Sequence, residues 1–475
     1  MLNAERGMLI TEREIPRSEF LIPHSCDMPA QRWKYRLFLA QAIGALLIIL
    51  PCIALGADDW GTETFSGDWN GTRSAWSEKG INTELLFKGT LMTSPAGGIR
   101  QGSDYMQLME LKLGLDTAKL SGIPDSSAYL HVVLNNGGRM NAAYVGSLMG
   151  VDNSEVSENN PKLYQAWFNK NFFSSTLSVL AGVYPVDTEF YVTDSSGIFI
   201  HPSFGMAAEL AQTGKNGPSV YPFAALGVRV KYQPSPIFYA QAAMLDGNPG
   251  GGRKPHWTRI NPFHGDGSLL IAEVAYSPGE AHHMTDPNIE PGRGGLLTTA
   301  QRLEQRYEPI GKYAVGYWFY SKRFDDLFDS DPAGNPLQRK NRGIYLLMEN
   351  SLYRPDNMER DVTAFFRYGQ AEKNVNIFDY SVSIGLRVRG LITGRVDDFF
   401  GFSATSSHAG EKFRLAQQAA GINIPGNETA VEITYRTQFK PWLVIQPNLQ
   451  RVFNTGLAPG IKNATVLGLR CEISI

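Results

Sequence analysis

The sequence predicts an all-β fold, a transmembrane antiparallel β-barrel of about 16 strands with a short N-terminal periplasmic helix. Three observations predict it. Many segments alternate strictly between apolar and polar residues. An export signal precedes them. After that signal, no further apolar run is long enough to form a membrane helix.

The alternation is clearest near the C-terminus. In Ala430–Phe439, Val431, Ile433, Tyr435 and Phe439 share one face, and Glu432, Thr434, Arg436 and Gln438 share the other. In Tyr380–Arg389, Tyr380, Val382, Ile384, Leu386 and Val388 alternate with Ser381, Ser383, Gly385, Arg387 and Arg389. Val228, Val230 and Tyr232 alternate with Arg229, Lys231 and Gln233. Period two means one apolar and one polar face. A soluble sandwich alternates in the same way. Segments of about ten residues suit a tilted membrane strand, and a polar face carrying both Arg and Glu suits a wet lumen. On pattern alone, both architectures remain open.

Sixteen candidate strands can be placed, the first beginning near Thr83 and the last near Ala464. The ninth to eleventh begin near Lys312, Gly343 and Asp361. A barrel of that size encloses an aqueous channel and not a side-chain core. Long connections fall at about 141–160, 191–222, 247–268 and 410–429, and tight ones at 121–127, 234–237 and 356–360. With both termini periplasmic, odd-to-even connections are extracellular. Ser277–Gly311 breaks this rule, being long where a short periplasmic turn belongs. Pro447 lies inside a strand and cannot donate to a ladder, so a bend or bulge is expected there.

Leu37–Leu55 is the one strongly hydrophobic run. Arg32, Lys34 and Arg36 precede it, and Ala54-Leu55-Gly56-Ala57 closes it before Asp58 and Asp59. Basic start, apolar middle and small residues are the order of a secretory signal peptide, with cleavage after Ala57. The polar stretch before it is unusual, and Met28 would start a well-proportioned signal. The division expected is therefore 1–57 signal peptide with a spurious extension, 58–82 helical segment and 83–475 barrel. Within the helical segment, Asp68 caps a helix that ends at Gly80, with Trp69 and Trp76 on one face.

Composition narrows the function classes. The 44 basic and 46 acidic residues offer no basic excess for nucleic acid. The three cysteines, Cys26, Cys52 and Cys471, form neither a disulfide framework nor a zinc pattern. No G-x-S-x-G, H-E-x-x-H or C-x-x-C motif occurs. No enzyme, metal or cofactor is expected.

The segment GDWNGTRSAWSEKGI (Gly67–Ile81) resembles the N-terminal signature of the carbohydrate-selective porins of the OprB type, with Asn70 replacing a glycine. Further segments resemble that family in order. They include YVGSLMGVDN (Tyr144–Asn153), LYQAWF (Leu163–Phe168), FGMAAELAQTGKNGPSVYPFAALGVRV (Phe204–Val230), GYWFYSKRFDDL (Gly316–Leu327), GRVDDFFG (Gly394–Gly401) and ETAVEITYRTQFKPWLVIQPNLQ (Glu428–Gln450). The resemblance runs over about 66–475 and decides for the barrel. It implies a bacterial outer-membrane porin, a homotrimer seated in outer-membrane lipid. Extracellular loops would fold inward, and glucose and other sugars would diffuse passively. Ending on Ile475, where barrels of this kind usually end in an aromatic, is a departure.

A sugar pore needs donors and acceptors that replace sugar hydration without holding the sugar tightly. On the long loops the candidates are Arg139, Tyr144, Asp152, Asn153, Asp194 and Phe199. On inward strand faces they are Arg229, Arg387, Arg389, Glu432 and Arg436, with Glu472 nearby. Loop packing, or a charge pair bracing the wall, is the structural alternative for each. Arg395, Asp397 and Asp398, like Arg323, Asp325 and Asp326, are expected to fix turns and strand ends. An anion or organic-acid porin would need a predominantly basic lining. A sugar-binding barrel without conductance is the alternative from another class.

Overall fold

The computed structural model describes residues 64–157, 159–250, 267–281, 307–355 and 360–475. The signal peptide, Met28 and most of Ser277–Gly311 lie outside these ranges. Sixteen antiparallel strands close into one barrel. They are β1 (Ile81–Gly98), β2 (Gly102–Asp116), β3 (Ser126–Gly137), β4 (Pro161–Phe172), β5 (Leu177–Tyr184), β6 (Ala225–Ser235), β7 (Phe238–Asp246) and β8 (Ser268–Tyr276). Then follow β9 (Gly311–Ser330), β10 (Pro336–Tyr353), β11 (Asp361–Ala371), β12 (Phe378–Arg389), β13 (Phe399–Ala409), β14 (Asn427–Lys440), β15 (Leu443–Phe453) and β16 (Lys462–Ser474). The first and last strands pair, Leu91 opposite Leu469, so the sheet has no free edge.

The predicted starts fall within a few residues of these, with one clear exception. β10 begins at Pro336 and not near Gly343. Its first turn-side residues, PLQRKNR, are polar on both faces, so alternation gives no signal there. β9 and β10 run on together beyond the apolar band as a long hairpin.

Outward side chains form that band. Val315 is 58% exposed, Met244 54%, Leu91 52% and Leu469 50%, although all sit in the middle of paired strands. So large an apolar surface is untenable in water and fits lipid contact. No helix of the described residues is long and apolar enough to cross a membrane.

The two ends of the barrel differ. The helix α1 (Thr72–Glu78) lies at the end of the barrel that holds Phe65 and Ile475. Trp69, Asn70 and Gly71 all have positive φ, which delays the helix to Thr72. Asp68 still accepts the Ser74 N–H at 2.8 Å, and Trp69 meets Trp76 edge to face. Arg73 donates to the carbonyl of Ile475 at 2.7 Å, and the Ile475 N–H continues the ladder to Leu85. The terminal residue is thus tied into the sheet. On this end β4–β5, β6–β7 and β14–β15 are joined by short turns. A five-residue helix, α2 (Thr117–Ser121), joins β2 to β3. The opposite end carries the long connections 138–160, 185–224 and 410–426, which marks it as extracellular. The β8–β9 connection leaves the periplasmic end as a short ladder of 279–281 against 307–309.

Two expectations need correcting. Pro447 causes no register shift: β15 pairs with β16 continuously from Leu443 to Val452. On its other side side chains bridge the gap, Gln446 donating to Thr434 Oγ1 and that hydroxyl to the Pro447 carbonyl. The lumen is also not wholly aqueous. Leu269, Ile271, Ala275, Ala314, Trp318 and Leu347 point inward and are buried under an inturned loop. The run SLLIAEVAY in β8 is apolar on both faces because lipid covers one and the loop covers the other. Gly316 makes room there, since a Cβ would stand 1.9 Å from the Tyr345 ring.

Candidate functional site

Two extracellular connections, 138–160 and 185–224, turn back into the barrel. Their backbone polar groups must find partners once water is excluded. Single carboxylates on the inner wall meet that need. Glu349 of β10 accepts the N–H of Asp194 at 3.0 Å and of Ser195 at 2.6 Å. Glu432 of β14 accepts those of Ile200 (2.8 Å) and His201 (2.9 Å). Glu428 accepts from Leu148 and Met149 of the other loop at 3.1 and 3.2 Å. Glu273 accepts the Tyr191 N–H and the Tyr345 hydroxyl. Carbonyls are met by cations, Arg367 donating to Phe204 and Gly205, and Lys312 to Val192. Each clamp is charge-assisted and buried, the stronger class of hydrogen bond.

The loops also join each other. Asn153 donates its N–H to the Ile200 carbonyl at 3.0 Å, and Gln212 donates to the Leu148 carbonyl at 2.6 Å. His201 lies fully buried at this junction. Burial pushes its imidazole down to about 3, and the neutral ring accepts the Ser203 N–H through Nδ1.

The residues singled out by sequence separate into three groups. Asn153 and Asp194 are exposed on the loops. The Asp194 carboxylate has no hydrogen bond or ion pair among the described residues, while its own N–H is gripped by Glu349. Arg139 is exposed at the start of the first loop, its N–H bound to Asp104, and Tyr144 lies under the Arg100 guanidinium. The second group is buried. Phe199 packs against Phe204 and Phe365. Asp152 pairs with Arg470 at 3.0 Å, Arg229 takes both oxygens of Glu189, and Glu432 holds the loop.

The third group is half-buried on the wall at the periplasmic ends of the strands. Arg436 meets Glu472 at 3.0 Å, Arg387 meets Asp361 at 3.5 Å, and Arg389 reaches Asp397 and the Val396 carbonyl. On the adjoining β1 and β2, Lys88 pairs with Glu110 and Lys112 with Glu84. Acid and base alternate around this vestibule. Arg395, Asp398 and Asp326 do fix strand ends: Asp398 accepts from Gln438, Thr437 and Tyr435.

Sequence reasoning missed Glu273, Glu349, Glu428 and Arg367. A signal existed in the lone charges within otherwise apolar strands, SLLIAEVAY and DVTAFFRYG. Their partners lie far away in the chain, so pattern alone could not assign them.

Comparison with known proteins adds a family. The profile described as "Carbohydrate-selective porin, OprB family" matches residues 100–475. Porin B of Pseudomonas aeruginosa is 22% identical over 91% of this chain and 97% of its own. The putative porin QuiX of Acinetobacter baylyi is 19% identical over 92% of this chain and 100% of its own. Among solved structures, the high-pH structure of Pseudomonas putida OprB superposes with a TM-score of 0.74. It is 21% identical and covers 87% of this chain and 99% of its own. The low-pH structure of the same protein gives 0.54 at 18% identity, with the same coverage.

Proposed function

The chain belongs to the OprB family of carbohydrate-selective porins, and from that premise we propose that glucose and similar neutral sugars pass the inturned loops in contact with Asp194 and Asn153. It is a β-barrel channel of the bacterial outer membrane. The observation that carries the proposed site is the Glu349 clamp. It fixes the backbone of Asp194 while leaving the carboxylate exposed and unpaired among the described residues. A carboxylate and an amide accept and donate to sugar hydroxyls without imposing charge complementarity. The ion pairs of the wall favour this over an anion pore. Arg229, Arg387, Arg436 and Arg470 each face a carboxylate, so among the described residues of the wall these arginines offer no run of free cations to a phosphate or organic acid.

Three-fold assembly is part of the proposal. Its support is a group of outward polar side chains at the extracellular ends of β13–β16, above the apolar residues of the same strands. Ser406 bonds Thr429 at 2.8 Å, Asn427 donates to both, and Arg451 donates to Thr465. Such groups suit a protein neighbour better than acyl chains.

The site is tested by Asp194→Ala and Asn153→Ala, read as glucose block of ion current across planar bilayers. Glucose block weakened by about 5- to 10-fold in each, at near-normal conductance, is expected from loss of one or two hydrogen bonds. Unchanged block in both variants rejects the site.

A further inference from the structure

We propose that the outer face of the β9–β10 hairpin binds the phosphate groups of an anionic lipid headgroup in the outer leaflet. The proposal rests on the outer-membrane placement above and concerns a different surface from the sugar path.

The ladder fixes the faces. Directly paired residues of antiparallel strands share a face. Tyr313, Val315, Tyr317 and Phe319 of β9 point outward into the apolar band, as do Ile344, Leu346 and Met348 of β10. Phe319 pairs with Arg342, and the next outward pair above it is Arg323 with Lys340. Arg342, Arg323 and Lys340 are all exposed. The apolar band thus gives way to cations within a single pair. β9 bulges between Phe319 and Arg323, and the two steps of β10 from Arg342 to Lys340 rise about 7 Å, the depth of one headgroup layer and not of acyl chains.

These cations lack carboxylate partners. Arg323 donates to the Gln338 carbonyl at 3.0 Å, and none of the three forms an ion pair among the described residues. The acids of the same hairpin are consumed on its inner side. Asp326 and Asp329 meet Arg339, and Asp329 also meets Lys412 of the helix Glu411–Ala419. Asp325 is the outward acid, one step further from the membrane and bonded to Gln338. Two guanidinium forks and an ammonium at the rim of an apolar wall match a phosphate whose acyl chains lie along that wall. Strands β11 and β12 separate the hairpin from the outward polar side chains of β13–β16, so the two surfaces do not overlap.

The test titrates bisphosphorylated lipid A, its dephosphorylated form and inorganic phosphate onto the purified barrel in detergent, read by native mass spectrometry. Wild type should bind the bisphosphorylated lipid in preference to the other two. The variant R323Q/K340Q/R342Q should bind it at least about tenfold more weakly. Lys340→Gln alone, at an exposed position, should lose a few-fold and guards against misfolding of the triple variant. Lys462→Gln, an exposed cation on β16, should change nothing. Equal binding of the dephosphorylated lipid or of inorganic phosphate, undiminished binding by the variants, or an equal loss in Lys462→Gln would overturn the proposal. Sugar flux through the triple variant should match wild type, which separates this proposal from the sugar path.

Discussion

Glu349 and Glu432 each hold two successive N–H groups of one loop, and those contacts set where Asp194 points. Replacing either carboxylate strands two buried donors, at about 1–3 kcal/mol for each unsatisfied group. The double variant Glu349→Ala/Glu432→Ala should therefore release the 185–224 loop from the wall. Single-channel conductance should rise at least about twofold, and glucose block should fall with it. Conductance at the wild-type level would mean that the packed aromatics, and not the clamps, hold the loop. At this scale the sequence was partly legible. Asp194 and Asn153 stood out as polar residues on long loops, and Glu432 as an inward wall residue. That Glu432 serves the loop was not legible, because a carboxylate facing water and one facing a loop backbone look alike in an alternating strand.

Most strands were legible because lipid outside and polar groups inside impose period two on each of them. The pattern failed where a third environment intervened. On β8 and β9 the inner face meets the 185–224 loop, so Leu269, Ile271 and Trp318 are buried where a polar residue was expected. On the far half of the β9–β10 hairpin neither face meets acyl chains, and β10 began earlier than its apolar pattern. Pro447 predicted a bulge from backbone chemistry alone, yet Thr434 and Gln446 supply the missing bonds and keep the register. An N-terminal helix forms, but it is capped at Gly71 and not at Asp68, and Trp69 lies before it. Its start was misjudged because three left-handed residues precede it.

For the whole molecule, the barrel has two unlike outward patches. The extracellular ends of β13–β16 carry neutral polar side chains and Arg451, and those of β9 and β10, two strands away, carry Arg323, Lys340 and Arg342. The proposed trimer would bury the first. Native mass spectrometry of the protein in mild detergent should give three chains, and a single-chain mass across detergents would contradict it. The central claim is that this barrel passes neutral sugars through a lumen narrowed by two clamped loops. Liposome swelling with a series of sugars of increasing size tests it most directly. Swelling should be fast with glucose and other monosaccharides and fall away steeply with larger oligosaccharides. No swelling with glucose in liposomes that carry the folded barrel, or equal rates across the series, would contradict the account.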